Sequence, residues 1–268
     1  MALAGWMEVG RMEELARLDT PVHRLDARAK LLTTLAFLVV VMSFPRHVVS
    51  GLVPFACYPL VLISLGRIPV RQIGRKILVA APFAVVIGLF NPLFDRQPVM
   101  TLGTLVITGG WLSCFSILLR FVLTVGAALA LVACTGMYRL GSGLVQLGVP
   151  RVFVMQLLFL HRYLFVVAEE GGKMVRAVAA RSGGTRTVNR CVYGSLVGHL
   201  LLRSLDRAER VYRAMVARGF DGQMPQMQRP VWRATDLAFV AGWTAFFVLA
   251  RAWNLAAELG RAFSGGGP

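Results

Sequence analysis

The chain has 268 residues, of which 56% are hydrophobic and 16% charged, and its mean hydropathy is +0.64. A soluble domain carries about 25% charged residues, so this composition excludes an ordinary soluble enzyme and describes a polytopic membrane protein. The formal net charge of +16 fits nucleic acid binding or the positive-inside asymmetry of membrane proteins, and beside such hydropathy it is read as the second.

The first thirty residues mix Glu13, Glu14, Asp19 and Asp26 with basic residues and hold no apolar core. No cleavable signal peptide is expected there. A spanning helix needs about 20 mainly apolar residues. The first apolar run covers residues 31–44 and is closed by Pro45-Arg46. It is short and borrows a turn from residues 27–30, with Asp26 as a candidate N-cap. The second run, 48–65, pairs with it as a tight hairpin turning at Pro45-Arg46-His47. A third, 77–94, follows the basic cluster Arg67, Arg71, Arg75 and Lys76. The fourth, 111–134, carries one charge, Arg120, with no acid within a turn, so any partner must come from another helix. The fifth is 237–250. The predicted fold class is therefore all-α and polytopic, with about five transmembrane helices in one transmembrane domain covering 1–268.

Between the fourth and fifth spans, residues 139–233 hold fifteen Lys or Arg against five Asp or Glu, a surplus of +10. Pro150 is placed to start a helix. From there a helix can run over 151–181, weakened only at Gly171-Gly172, and end at Gly183-Gly184. A second helix is predicted over 190–218, stopped by Gly219. Each starts apolar (152–167 and 191–202) and ends basic. Such a helix can lie beneath the membrane and point its charged tip into the cytosol. The run 152–167 admits a second reading as a span. His161-Arg162 would then sit mid-membrane, where an Arg costs roughly 2.5–3.5 kcal/mol, and the run is short. Gly141-Ser142-Gly143 reads as a loop signal near a helix start, and Gly265-Gly266-Gly267 as a tail.

Basic residues near span ends set the orientation. One side collects Arg11, Arg17, Arg24, Arg28 and Lys30, then the four at 67–76, then the fifteen at 139–233; the other holds Arg46, Arg96, Arg251 and Arg261. The N-terminus and residues 139–233 are expected in the cytosol and the C-terminus outside.

Two tripeptides mark the ends of the long basic helices: Ala180-Arg181-Ser182 and Ala217-Arg218-Gly219. Each sets an Arg between small residues, so the guanidinium, a rigid fork of donors, stands clear of its neighbours. One such ending is explained by the helix dipole and a glycine stop. Two of them, thirty-seven residues apart in the one large cytosolic segment, point to docking.

The run Leu25-Asp26-Ala27-Arg28-Ala29-Lys30-Leu31-Leu32 resembles that of a known family. So do Phe159-Leu160-His161-Arg162-Tyr163-Leu164-Phe165 with Glu169-Glu170, and Ala217-Arg218-Gly219-Phe220. In this order and setting the chain resembles the transmembrane T component of energy-coupling factor transporters, most closely the cobalt-type CbiQ proteins, over nearly its whole length. The resemblance implies a multi-pass protein of the bacterial inner membrane that links a substrate-binding membrane subunit to two ATPase subunits. It implies that Arg181 and Arg218 end coupling helices that dock on the ATPases, with Ser182 in place of a glycine. The apolar parts of those helices would contact the substrate-binding subunit. The substrate implied is cobalt ion, with nickel or a vitamin as the alternative.

No catalytic, cofactor or metal residue is assigned. The four His (His23, His47, His161, His199) and four Cys (Cys57, Cys114, Cys134, Cys191) are scattered, with no CxxC pair. No GxxxxGK[ST] phosphate loop is present, so ATP is expected to be used by partner subunits. Two other classes remain testable. An intramembrane enzyme would need paired carboxylates, HExxH or a Ser/His pair at membrane depth, none of which the sequence offers. A membrane-anchored nucleic-acid binder would use 139–233 as a salt-sensitive basic face, but no nucleic-acid partner is expected. Co-purification with ATPase or with nucleic acid separates them.

Overall fold

A computed structural model describes residues 20–45, 50–94, 98–102, 105–181, 190–221 and 232–252. The predicted turn residues Arg46 and His47, the glycine stop at 183–184 and the tail at 265–267 lie outside these. Contacts divide the described chain into two compact units, one of 20–136 with 232–252, the other of 137–221.

In the first unit, Pro21 opens a one-turn helix, α1 (Pro21–Arg24). Asp26 then caps α2 (Ala27–Met42): its Oδ1 accepts from the Arg28 N–H at 3.0 Å. The expected borrowed turn is there, and the helix ends two residues before Phe44. The second apolar run is not one regular α-helix. Residues Ser50–Ala56 form a 3₁₀ segment containing Pro54 and only then pass into α3 (Cys57–Leu65). Proline offers no N–H to a helical ladder, and Pro54 lies within this tighter start.

Helix α4 (Val70–Phe94) begins immediately after Pro69, seven residues before the predicted start. Arg71, Arg75 and Lys76 are therefore on its first two turns, and the helix continues through Gly74 into the apolar run. The backbone then forms a short antiparallel pair, β1 (Pro98–Leu102) and β2 (Leu105–Thr108), which the sequence did not announce. Helix α5 (Gly109–Thr135) and the last helix of the chain, Ala234–Ala252, extend the fourth and fifth predicted spans by one to three residues at each end.

Three elements of this unit are long and apolar enough to cross a membrane: Val70–Phe90, Gly110–Thr135 and Ala234–Ala252. Helix α2, with 16 residues, and the Gly51–Leu65 segment are shorter. Small residues let the helices approach closely. Ala127, Ala130, Ala133 and Cys134 of α5 are fully buried, as expected where membrane helices pack. Gly66 is required at its place: a Cβ there would lie 2.6 Å from the Leu62 carbonyl oxygen and 2.7 Å from Cys134 Sγ. Phe37, Phe55, Tyr58 and Phe247 form an aromatic core, with the Phe37 and Tyr58 rings 4.9 Å apart. The Tyr58 hydroxyl meets the Thr34 hydroxyl at 2.7 Å, so its polar end is not stranded.

Two buried ionisable groups of this unit sit at helix ends. Lys30 is buried and its Nζ donates to the Cys134 carbonyl at the C-terminus of α5, at 3.1 Å. The buried Asp236 accepts from the Asp26 N–H and the Arg233 N–H, both at 2.9 Å. Each charge sits where the helix dipole favours it. Arg120 does find a partner off its own helix, but it is a backbone carbonyl, Pro45 O at 2.6 Å.

The second unit holds α6 (Met137–Gln146), α7 (Arg151–Arg181) and α8 (Arg190–Ala217); the last helix of the chain is accordingly α9 (Ala234–Ala252). Gly141 and Gly143 are not loop residues but buried members of α6. A Cβ on Gly141 would meet Val154 at 3.1 Å and Leu158 at 3.2 Å of α7, so the glycine serves helix–helix approach. Gly148, at φ +98, ends α6, and Pro150 precedes α7.

Candidate coupling site

Helix α7 runs unbroken through Gly171-Gly172 for 31 residues, about 45 Å, and α8 for 28 residues, about 42 Å. Both bear exposed apolar side chains on their first halves: Val152, Phe153 and Leu160 on α7; Val197, Leu201 and Leu202 on α8. By length and composition α7 is also able to cross a membrane. Exposed apolar surface on this scale calls for lipid or a partner protein.

The two helices meet where Gly171 of α7 faces Leu200 of α8; a Cβ on the glycine would lie 3.4 Å from Leu200 Cδ2. One residue earlier, Glu170 Oε1 accepts from Arg203 Nη1 at 2.7 Å. Val166, Val167, Ser204 and Arg207 line a shallow groove beside this pair. The pairing joins residues thirty-three apart in sequence, and no local spacing rule could have found it.

The sequence-predicted tips lie at the far ends. Arg181 is the last residue of α7, after Ala180, and it is exposed. Ser182 lies outside the described residues. At the end of α8 the Ala217-Arg218-Gly219 motif is a complete Schellman cap. The Phe220 N–H donates to Met215 O at 3.0 Å and the Gly219 N–H to Val216 O at 2.9 Å, with Gly219 at φ +79. Arg218 thereby sits at the cap position itself and is exposed.

Some neighbouring charges are matched within the helices. Lys173 pairs with Glu169 at 2.8 Å, and Arg213 with Glu209. Among the described residues, neither the Arg181 nor the Arg218 guanidinium has a hydrogen-bond or ion-pair partner. Also among the described residues, no three His, Cys, Asp or Glu side chains converge on a point that could hold a metal ion.

These features define a multi-pass α-helical membrane protein with two long helices whose basic tips are left open. The chain belongs to the CbiQ cobalt transport protein family, whose model matches residues 19–229. It is 29% identical to the energy-coupling factor transporter transmembrane protein EcfT of Limosilactobacillus fermentum, over 87% of this chain and 94% of that one. It is 27% identical to the EcfT protein of Heliobacterium modesticaldum, over 89% and 95% of the two chains. The cobalt transport protein CbiQ of Rhodobacter capsulatus is 36% identical over 84 residues, 31% of this chain and 34% of that one.

Proposed function

We propose that this chain is the energy-coupling transmembrane subunit of an ATP-driven importer for cobalt ion. Similarity to two EcfT proteins over most of both chains supports the coupling role. Membership of the cobalt transport protein family supports the choice of ion. The observation that carries the reading is the pair of open guanidiniums, Arg181 and Arg218, at the ends of α7 and α8, which touch each other at the Glu170–Arg203 pair.

In this reading the N-terminus and residues 139–233 face the cytosol. Each tip docks on one of two ATPase subunits. ATP closes the ATPases and moves the tips; the helices carry that movement to a substrate-binding membrane subunit seated on their apolar parts, 152–167 and 191–202. The chain itself is not an enzyme. It binds neither cofactor nor metal ion, and ATP is used by its partners. The names of the two EcfT relatives state no substrate, so the same role in a nickel or vitamin importer is the second reading. Uptake of labelled cobalt, nickel and vitamins by cells carrying the whole complex, with and without this chain, tests the assignment. Loss of cobalt uptake alone is expected on deletion; loss of nickel or vitamin uptake with cobalt unaffected contradicts it.

A further inference from the structure

Ser43, Phe44 and Pro45 follow the last turn of α2. Two arginines from two other helices converge on these three residues. Arg251, in the last turn of α9, donates from Nη2 to Ser43 O at 3.0 Å and to Ser43 Oγ at 3.2 Å. Its guanidinium carbon also stands 4.2 Å from the centre of the Phe44 ring. Arg120 of α5 donates from Nη2 to Pro45 O at 2.6 Å, and its Nε is buried without any partner.

All of these partners are neutral. Among the described residues no carboxylate meets either guanidinium. The C-terminus of α2 supplies roughly half a negative charge, against two full positive ones. Such an excess is costly wherever water is scarce. Here it is scarce. Arg120 lies eleven residues past the start of α5, about 16 Å along its axis. Helix α2 itself, at 16 residues, spans about 24 Å, less than the roughly 30 Å of a hydrocarbon core. A short span thins the bilayer around it, and thinning brings the headgroup layer down to the helix end.

We propose that Arg120 and Arg251 together bind the phosphate of a phospholipid headgroup at the C-terminal end of α2. Arginine forks suit phosphate oxygens and hold them bidentately. Arg251 is exposed and Arg120 half-buried, so both side chains can be reached from outside the protein. The phosphate supplies the negative charge that the protein does not. The site is independent of which way the chain is oriented, since headgroups line both faces of the bilayer.

The test uses the full chain in nanodiscs of two compositions, phosphatidylglycerol and the phosphate-free digalactosyl diacylglycerol, with thermal unfolding as the readout. The wild type is expected to melt higher in phosphatidylglycerol, and Arg251→Gln to lose part of that difference, on the order of 3 °C. Arg251→Lys, which keeps the charge but loses the fork, should retain only part of it. Arg120→Gln should behave like Arg251→Gln; if it does not fold, the exposed Arg251 decides the matter alone. The same lipid dependence in wild type and Arg251→Gln overturns the proposal. Recovery of the full difference on adding inorganic phosphate to the galactolipid discs assigns the site to free phosphate and overturns the lipid.

Discussion

Individual glycines divide into those that space demands and those it does not. Gly66 sits against the Leu62 carbonyl and Cys134 Sγ, whereas a Cβ on Gly74 of α4 would meet nothing within 4 Å. Gly66→Ala is expected to destabilise the protein by about 1–3 kcal/mol, the usual cost of overpacking. Gly74→Ala should be neutral or stabilise by about 0.5–1 kcal/mol through helix propensity. Unfolding midpoints in one detergent decide; equal effects at the two sites would contradict the packing described here. Gly219 is demanded by backbone rather than space, at φ +79 with nothing within 4 Å. Gly219→Ala should cost about 1–2 kcal/mol of cap geometry. Its main effect should be on Arg218, seen as ATPase binding weakened by more than this loss of stability accounts for.

At this scale the sequence was legible where the rule is local. Asp26 as a cap and Gly219 as a stop follow from residue type and position. Lys30 and Asp236 did not, because their partners, the Cys134 carbonyl and the Asp26 N–H, are brought from 104 and 210 residues away. Arg120 was visible as a charge in a span, but its carbonyl partner was not.

Among elements, the long helices α7 and α8 were legible nearly to the residue, since Pro150 and Gly219 punctuate them and their faces are sustained. The failures have physical causes. A glycine pair suggested a loop, yet in α6 Gly141 and Gly143 are buried, and a Cβ on Gly141 would crowd Val154 and Leu158. Apolar content suggested one even span over 48–65, yet its described start, which holds Pro54, is 3₁₀. Basic residues suggested a loop over 67–76, yet Arg71, Arg75 and Lys76 lie on α4, which starts directly after Pro69 and runs through Gly74.

The Glu170–Arg203 pair is the element-scale feature with the clearest consequence. As an exposed pair it contributes only about 0.2–1 kcal/mol, so its removal should leave folding intact. It lies 11 residues from the tip of α7 and 15 from that of α8, so it sets the angle between two arms of about 16 and 22 Å. Glu170→Arg should lower transport per ATP hydrolysed, by at most about fivefold on the energetics of such a pair. The swap Glu170→Arg with Arg203→Glu should restore it. A swap no better than the single change would show that the pair does not fix the crossing.

For the whole molecule, composition and charge asymmetry carried the class of protein. The division into a unit of 20–136 with 232–252 and one of 137–221 follows the break between apolar spans and the basic segment. Orientation is testable directly. With single cysteines at Ser182 and Ser264 in a cysteine-free background, a membrane-impermeant thiol reagent should label them from opposite sides. Labelling of both from one side would mean an even number of crossings between them.

The central claim is that Arg181 and Arg218 are the two contacts through which ATP hydrolysis reaches the membrane. It is tested most directly by the double variant Arg181→Ala, Arg218→Ala in the complete complex, measuring retained ATPase subunits and metal uptake together. Truncating one partner of a buried charge pair costs roughly 2–5 kcal/mol, so each change should weaken ATPase binding on the order of 30-fold or more. The double variant should lose the ATPases or hydrolyse ATP without transport. Normal assembly together with normal uptake in that variant would contradict the account.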